Sequence, residues 1–326
     1  MRWRMLAGLA LAVSGISLAG CDFERLAKDL ADAAKKGSTP TASIPSGSAQ
    51  TDVGKTDETI AVGSFNIQVF GQAKLENAKV VDLLAKIVRR FDVIAIQELR
   101  SKEQDVIPRF LEKVNADGSR FDYIIGPRIG RTSSKEQYVY LYDSSRIEVL
   151  PGSVYTASDT GDHLHREPLV ATFRVKNSRW AKPFTFTLIN IHTDPDETDW
   201  ELDALDDVFV RVQQDRIRED DVILLGDFNV DEYHLGQLGK LPGVTWAISG
   251  QPTNTRGTQS YDNILFDRRP TVEFAGRSGV LDLQKEYGLS LEEALEVSDH
   301  LPVWATFHSG ENVQSGPIAS GPVNRQ

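Results

Sequence analysis

Six polar groups in this sequence sit at the ends of short apolar runs. Asn66 follows Ser64-Phe65, Gln97-Glu98 closes Val93–Ile96, and His192 closes Leu188–Ile191. Gly226-Asp227-Phe228-Asn229 closes Val222–Leu225, Tyr261-Asp262 opens the next run, and Ser298-Asp299-His300 precedes the last one. A single Asp or Glu in such a place is more often a turn former or a cap. Six together, at the strand ends where α/β folds collect their sites, point to chemistry. Glu98, Asp227 and Asp299, with Asn66, are hard oxygen ligands of the kind that Mg²⁺, Mn²⁺ or Ca²⁺ accept. His192 and His300 titrate near neutrality and can serve as general base and general acid. Asp262 and Glu136 are carboxylates available to orient them. Hydrolysis of a phosphodiester draws on all of these: a base for water, an acid for the leaving oxygen, and cations for the charge on phosphorus.

The elements that must hold these groups can be read from periodicity. Ile60–Ile67 is an apolar, β-rich run, and Val93–Ile96 is a short continuous apolar run suited to a strand buried on both faces. Between them Val80, Leu83, Leu84, Ile87 and Phe91 share one helical face, and Val106, Phe110, Leu111 and Val114 mark a second helix. Strands are predicted at 121–125, 137–142, 169–175 and 184–192, then a helix carrying Leu202, Leu205, Phe209 and Val212. Strands at 222–225, 264–266 and 303–307 complete the series. Many strands with a few helices predict two packed sheets with helices outside, a four-layer α/β/β/α arrangement. No internal repeat is present.

The ends of the chain read differently. Arg2 and Arg4 precede an apolar run from Leu6 to Leu18, and Leu18-Ala19-Gly20-Cys21 resembles the lipobox of bacterial lipoproteins. The expectation is a signal peptide over 1–20, a lipidated Cys21 and a tether to residue 58, with a short helix within 22–36. A catalytic domain over 59–309 and a Ser-, Gly- and Pro-rich tail over 310–326 would follow. Such a chain would be exported and lipid-anchored to the cell envelope, and a single copy would suffice. Cys21 is the only cysteine, which rules out internal disulfides and thiolate metal clusters. The net charge is −11, and loss of residues 1–20, with two arginines and no acids, makes it −13. That argues against stoichiometric packaging of a polyanion but not against an enzyme that approaches phosphate through divalent cations.

The segments SFNIQVFG (64–71), IQELR (96–100), SKEQYVYLY (134–142) and REP (166–168) stand in one order with NIHTDP (190–195), GDFN (226–229), YDNI (261–264) and SDHLPV (298–303). Together they resemble the endonuclease/exonuclease/phosphatase superfamily. KEQY, REP and the peptide 282–300 are similar to its deoxyribonuclease I branch. The resemblance implies that Glu98 and Asn66 hold the catalytic divalent ion, with Asp299 nearby. Asp227 and Asn229 would contact the scissile phosphate or a second ion, which Thr253 would join. It further implies His192 paired with Asp262, His300 paired with Glu136, and Arg100 and Arg166 on phosphates, with Tyr261 beside the substrate. Water would attack in line and leave a 5′-phosphate on DNA. Mg²⁺ or Mn²⁺ would be the cofactor, with Ca²⁺ a second candidate.

Gln68 and Ser134 stand where the family carries an arginine and a tyrosine that enter the minor groove, so single strands or RNA are alternative substrates. The family's disulfide positions hold other residues, among them Glu232 and Gln259. Arg131 and Lys135 are further candidates for a basic rim. Two competing readings are a lipid phosphodiesterase or phosphatase of the same superfamily, acting on sphingomyelin or phosphoinositides, and a non-catalytic binding subunit.

Overall fold

The computed structural model describes residues 52–311, apart from 133, 160, 216 and 218. Cys21, the signal segment, the helix expected within 22–36 and the tail beyond 311 lie outside the described residues. Among those described, no helix is long and apolar enough to cross a membrane.

Two mixed sheets pack face to face. The first contains β1 (Thr59–Phe70), β2 (Val93–Leu99), β3 (Phe121–Ile125), β4 (Gln137–Asp143), β12 (Phe274–Val280) and β13 (Val303–His308). Its order is β12-β13-β1-β2-β4-β3. The second contains β5 (Ile147–Val149), β6 (Tyr155–Thr156), β7 (Leu169–Val175), β8 (Thr185–His192), β9 (Val222–Asp227), β10 (Val244–Trp246) and β11 (Asp262–Asp267). Its order is β10-β11-β9-β8-β7-β5, with β6 also on β7. In each sheet a parallel pair lies within otherwise antiparallel neighbours, β1 with β2 and β8 with β9.

The strands are apolar on both faces because each sheet is covered twice. Ile60, Val62, Val93, Ala95, Ile223 and Leu225 point between the sheets. Their alternates Ala61, Ile94 and Ile96 pack outward under α1 (Gln72–Glu76), α2 (Ala78–Val88), α3 (Val106–Val114), α5 (Leu283–Tyr287) and α6 (Leu291–Val297). Val222 and Leu224 pack outward under α4 (Thr198–Gln213), whose Leu202, Leu205, Phe209 and Val212 are all buried as the spacing predicted. Three apolar layers between four structural layers follow from this period of two. Capping fixes where several helices start: Asn77 accepts from Val80 N, Asp282 from Gln284 N and Lys285 N, and Ser290 with Glu293 forms a capping box.

Ordered packing starts earlier than the expected domain edge at residue 59. Val53 is buried, and the Lys55 ammonium donates to Phe91 O and Asp143 Oδ2. At the other end Gly310 bridges Pro183 and Glu311 Oε1 accepts from Thr185 N, so the body extends through 311. Where the family would have a cross-link, Glu232 instead accepts hydrogen bonds from Ser249 Oγ and Gly250 N.

Candidate active site

All six polar groups meet at one end of the sandwich. Two bulges make this meeting possible. The register between β1 and β2 shifts between Asn66 and Phe70, and that between β2 and β4 shifts between Ile96 and Leu99. Glu98 consequently takes φ +63 and Val69 φ +53, left-handed values that side chains seldom adopt. The reward is a turned carboxylate: Glu98 Oε2 accepts from Val69 N at 2.8 Å and its Oε1 from Asn66 Nδ2 at 3.2 Å. The Lys74 ammonium, on α1, secures the same corner by donating to the carbonyls of Ile67, Gln68 and Val297. Burial pushes its pKa down to about 8, against the pull of Asp299 and Glu98. The sequence reading missed Lys74, because its partners are backbone carbonyls.

Each histidine is held by a carboxylate from the opposite sheet, and the pairing reverses the expected one. His192, at the end of β8, has Nδ1 2.9 Å from Glu136 Oε1, a residue just ahead of β4. His300, just ahead of β13, has Nδ1 2.9 Å from Asp262 Oδ2 on β11. The expected couples His192–Asp262 and His300–Glu136 are therefore corrected: the order of sheets, invisible in linear spacing, decides who faces whom. Both Nε2 atoms then converge on one oxygen, Asp227 Oδ2, at 3.6 Å from His192 and 3.5 Å from His300. Asn66 Nδ2 donates to the same oxygen at 3.0 Å.

The electrostatics follow from this burial. Desolvation alone would lower the pKa of His300, but Asp262 and Asp227 outweigh it and raise it to about 10. The same contest at His192 ends with its pKa raised, chiefly by Glu136. Burial would raise Glu136, yet His192, Arg166 and Arg100 hold it below the ordinary value. Burial keeps Asp262 above the ordinary carboxylate range.

Several predicted contacts take other places. The buried Thr253 hydroxyl donates to Asp262 Oδ2 and accepts from Tyr261 N and Asp262 N, so it orients the His300 partner. Arg166 is 8% exposed, with Nη1 on His192 O and Nε 3.2 Å from Glu136 Oε2, so it braces the His192–Glu136 couple. Arg100 is more open, 3.2 Å from Glu98 Oε2, 3.7 Å from Glu136 Oε2 and bonded to Ser134 Oγ. Arg131 pairs with Glu197 and Asp162. Tyr261 lies against the His300 ring at 5.9 Å. Asn229, at φ +52, donates from Nδ2 to Thr193 O.

Beneath the histidines a chain of buried amides ties the sheets together. Gln97 Nε2 on β2 donates to Asn190 Oδ1 on β8 at 2.7 Å, and Asn190 Nδ2 returns to Ile96 O and Val139 O. Tyr138, on β4 and fully buried, accepts from His192 N. Gln97 stood among the polar groups read from the sequence, but its link to Asn190 and the role of Tyr138 emerge only once the sheets are docked.

The donor set fits a divalent cation. Glu98, Asn66 and Asp299 offer hard oxygens at one edge, and Asp299 Oδ1 is buried without a hydrogen-bond partner while its Oδ2 accepts from Gln68 Nε2. Asp227, Asp262 and His300 also bring ligand-type atoms within 4.8 Å of one another. Asp262 Oδ2 is engaged by His300 and Thr253, which holds the imidazole in place.

Comparison with known proteins agrees with this chemistry. Residues 63–300 match the Endonuclease/Exonuclease/phosphatase family. The chain is 34% identical over 261 residues to deoxyribonuclease gamma of Rattus norvegicus, covering 74% of this chain and 82% of that one. It is 32% identical over 264 residues to deoxyribonuclease-1 of Bos taurus, covering 76% and 92%. A solved endonuclease/exonuclease/phosphatase family protein of Bacteroides thetaiotaomicron shares the fold with a TM-score of 0.51 at 15% identity, over 77% of this chain and 97% of that one. The chain therefore belongs to the endonuclease/exonuclease/phosphatase family, on its deoxyribonuclease I-like side, and is a metal-dependent hydrolase of phosphoester bonds.

Proposed function

We propose that the substrate is DNA, cut internally to leave 5′-phosphates, and that Cys21 tethers the enzyme to a bacterial envelope by a lipid. The observation that carries the nuclease reading is the convergence of two histidine–carboxylate couples on Asp227 from opposite sheets. A phosphate seated there would have one imidazole on the side of the incoming water and the other on the side of the departing oxygen. His300, with its pKa near 10, keeps its proton at neutral pH and is suited to protonate the leaving 3′-oxygen. His192, set by Glu136, takes the proton from water when it is itself neutral. Mg²⁺ or Mn²⁺ held by Glu98, Asn66 and Asp299 would supply positive charge against the developing charge on phosphorus. Asp227 and Asn229 position the phosphate, and Arg100 lends a guanidinium at the rim.

Supercoiled plasmid incubated with the full chain in Mg²⁺, in Mg²⁺ with Ca²⁺, and in chelator tests the reading. Nicking that requires the metal is expected. Inert plasmid, single strands and RNA, together with hydrolysis of sphingomyelin or phosphoinositide vesicles, would transfer the function to lipid phosphodiesters. Labelled palmitate should enter the chain through Cys21, and incorporation that survives Cys21→Ser would remove the anchor.

Substrate form has its own prediction. Gln68 is bonded to Asp299 and Ser134 to Arg100, so neither offers a long cation or a ring to a groove. Gln68→Arg combined with Ser134→Tyr should raise duplex cleavage relative to single-strand cleavage by roughly tenfold, the worth of one good groove contact. An unchanged ratio would show that groove insertion does not set the preference.

A further inference from the structure

The outer helix α4 carries an acid where its apolar stripe should continue. Positions 201, 205, 208 and 212 share one face, and Leu205, Val208 and Val212 pack there with Val222 and Leu224 of β9. Glu201 stands first in that row and is 1% exposed. A carboxylate so deep costs free energy unless hydrogen bonds replace its water.

Both of its oxygens are used, and by different segments of chain. Oε1 accepts from His165 N and Oε2 from Asp194 N. Burial pushes the Glu201 pKa up, and the two N–H groups and Arg166 pull against that. His165 Nδ1 also lies 3.4 Å from Asp194 Oδ2, and Thr198 Oγ1 donates to Asp194 O, which closes the knot.

The two segments joined in this way are the ones that set the first histidine couple. Arg166, next to His165, places Nη1 on His192 O at 3.1 Å and Nε 3.2 Å from Glu136 Oε2. Asp194 lies two residues beyond His192, and Thr193 N between them donates to Asp227 O. One buried carboxylate therefore clamps the chain on both sides of the bond by which Arg166 ties His192 to Glu136. The second couple is held otherwise, by the Thr253 hydroxyl on Asp262.

We propose that Glu201 is a positioning residue: from the outer helix it sets the His192–Glu136 couple by fixing the backbones at His165 and Asp194. The effect on rate rests on the reading of His192 as the base. Glutamine at 201 keeps the size but offers one oxygen and an NH₂, so one of the two backbone N–H groups would face another donor. Aspartate keeps both oxygens but is one methylene shorter, and cannot reach both segments from the same helix position.

The test compares the full-length parent with Glu201→Gln, Glu201→Asp and Val212→Ala. The last thins the same helix face about 16 Å further along, away from both segments. One readout is the NMR signal of the Nδ1 proton between His192 and Glu136, with that between His300 and Asp262 as internal reference. The other is kcat and KM for phosphodiester cleavage. In Glu201→Gln the His192 proton should exchange with water about tenfold faster or more, while the His300 proton keeps its parental rate. The kcat should fall by about 10–100-fold with KM held within about twofold. Val212→Ala should lower the melting temperature and leave both ring signals as in the parent. A parental His192 signal in folded Glu201→Gln, or the same loss in Val212→Ala, would overturn the proposal. If Glu201→Gln does not fold, Glu201→Asp is judged by the same two outcomes. The ring protons are observed without substrate, so a parent that cuts no phosphodiester would remove the nuclease reading while the His192 signal still decides the role of Glu201.

Discussion

Replacing His192 or His300 by alanine should lower metal-dependent phosphodiester cleavage by about 10²–10⁴-fold each, the usual worth of a positioned proton donor or acceptor. The two losses should not multiply, since both imidazoles serve one event at one phosphate. The geometry separates their roles. His300 is held protonated by Asp262 and Asp227, and His192 has its raised pKa chiefly from Glu136. As pH falls through the raised pKa of His192, the base takes up a proton and the parental rate should drop. As pH rises towards the value near 10 at His300, the acid is lost and the rate should drop again. His192→Ala should abolish the acid limb of the profile along with most of the rate. Plasmid nicking across pH, with parental metal binding as the control for integrity, measures both. A His192→Ala enzyme with parental rate would show that another group activates water.

Gly226→Ala should cost more than about 4 kcal/mol of stability or prevent folding, the range reserved for a forced backbone clash. Gly226 takes φ +150, and a Cβ there would fall 2.0 Å from the carbonyl oxygen of Ile191. Ile191 is its neighbour across the parallel β8–β9 pair, with His192 opposite Asp227 one step on. Relief of the clash must spread the two strands at the point where His192 and Asp227 are set. Urea unfolding should show a lower midpoint with an unchanged slope. A parental midpoint would mean that β9 shifts without penalty and that the tight approach is not required.

Much of this architecture was legible in the residues. The continuous apolar run Val93–Ile96 and the many strands with few helices predicted two packed sheets with helices outside, and Leu202, Leu205, Phe209 and Val212 marked the outer helix correctly. The short strands β5, β6 and β10 are too brief to show a period. β12, Phe-Ala-Gly-Arg-Ser-Gly-Val at the edge of its sheet, packs apolar side chains only at its two ends, Phe274 and Val280, with glycine, arginine and serine between them. The identities of the acids and histidines were likewise readable, since phosphoester chemistry requires those types. Their partnerships were not. Whether His192 meets Glu136 or Asp262 depends on how one sheet lies upon the other, and Thr253 and Arg166 gain their orienting roles from the same docking. The twist at Glu98 is also a product of two bulges, which no local propensity signals.

The crossing of the couples makes catalysis a coincidence detector for assembly. Glu98, Glu136 and His300 ride on one sheet, Asp227, Asp262 and His192 on the other, and the Gln97–Asn190 amide link locks the seam beneath them. A fragment holding only β5 to β11 would own one of the two site histidines, His192, without its partner Glu136, and no Glu98. Neither half of a split chain could cut on its own, and a recovered rate on mixing would count docked pairs directly. Inactivity of an unfinished or partly opened chain is thus built into the wiring, sparing any nucleic acid it meets before the halves have closed.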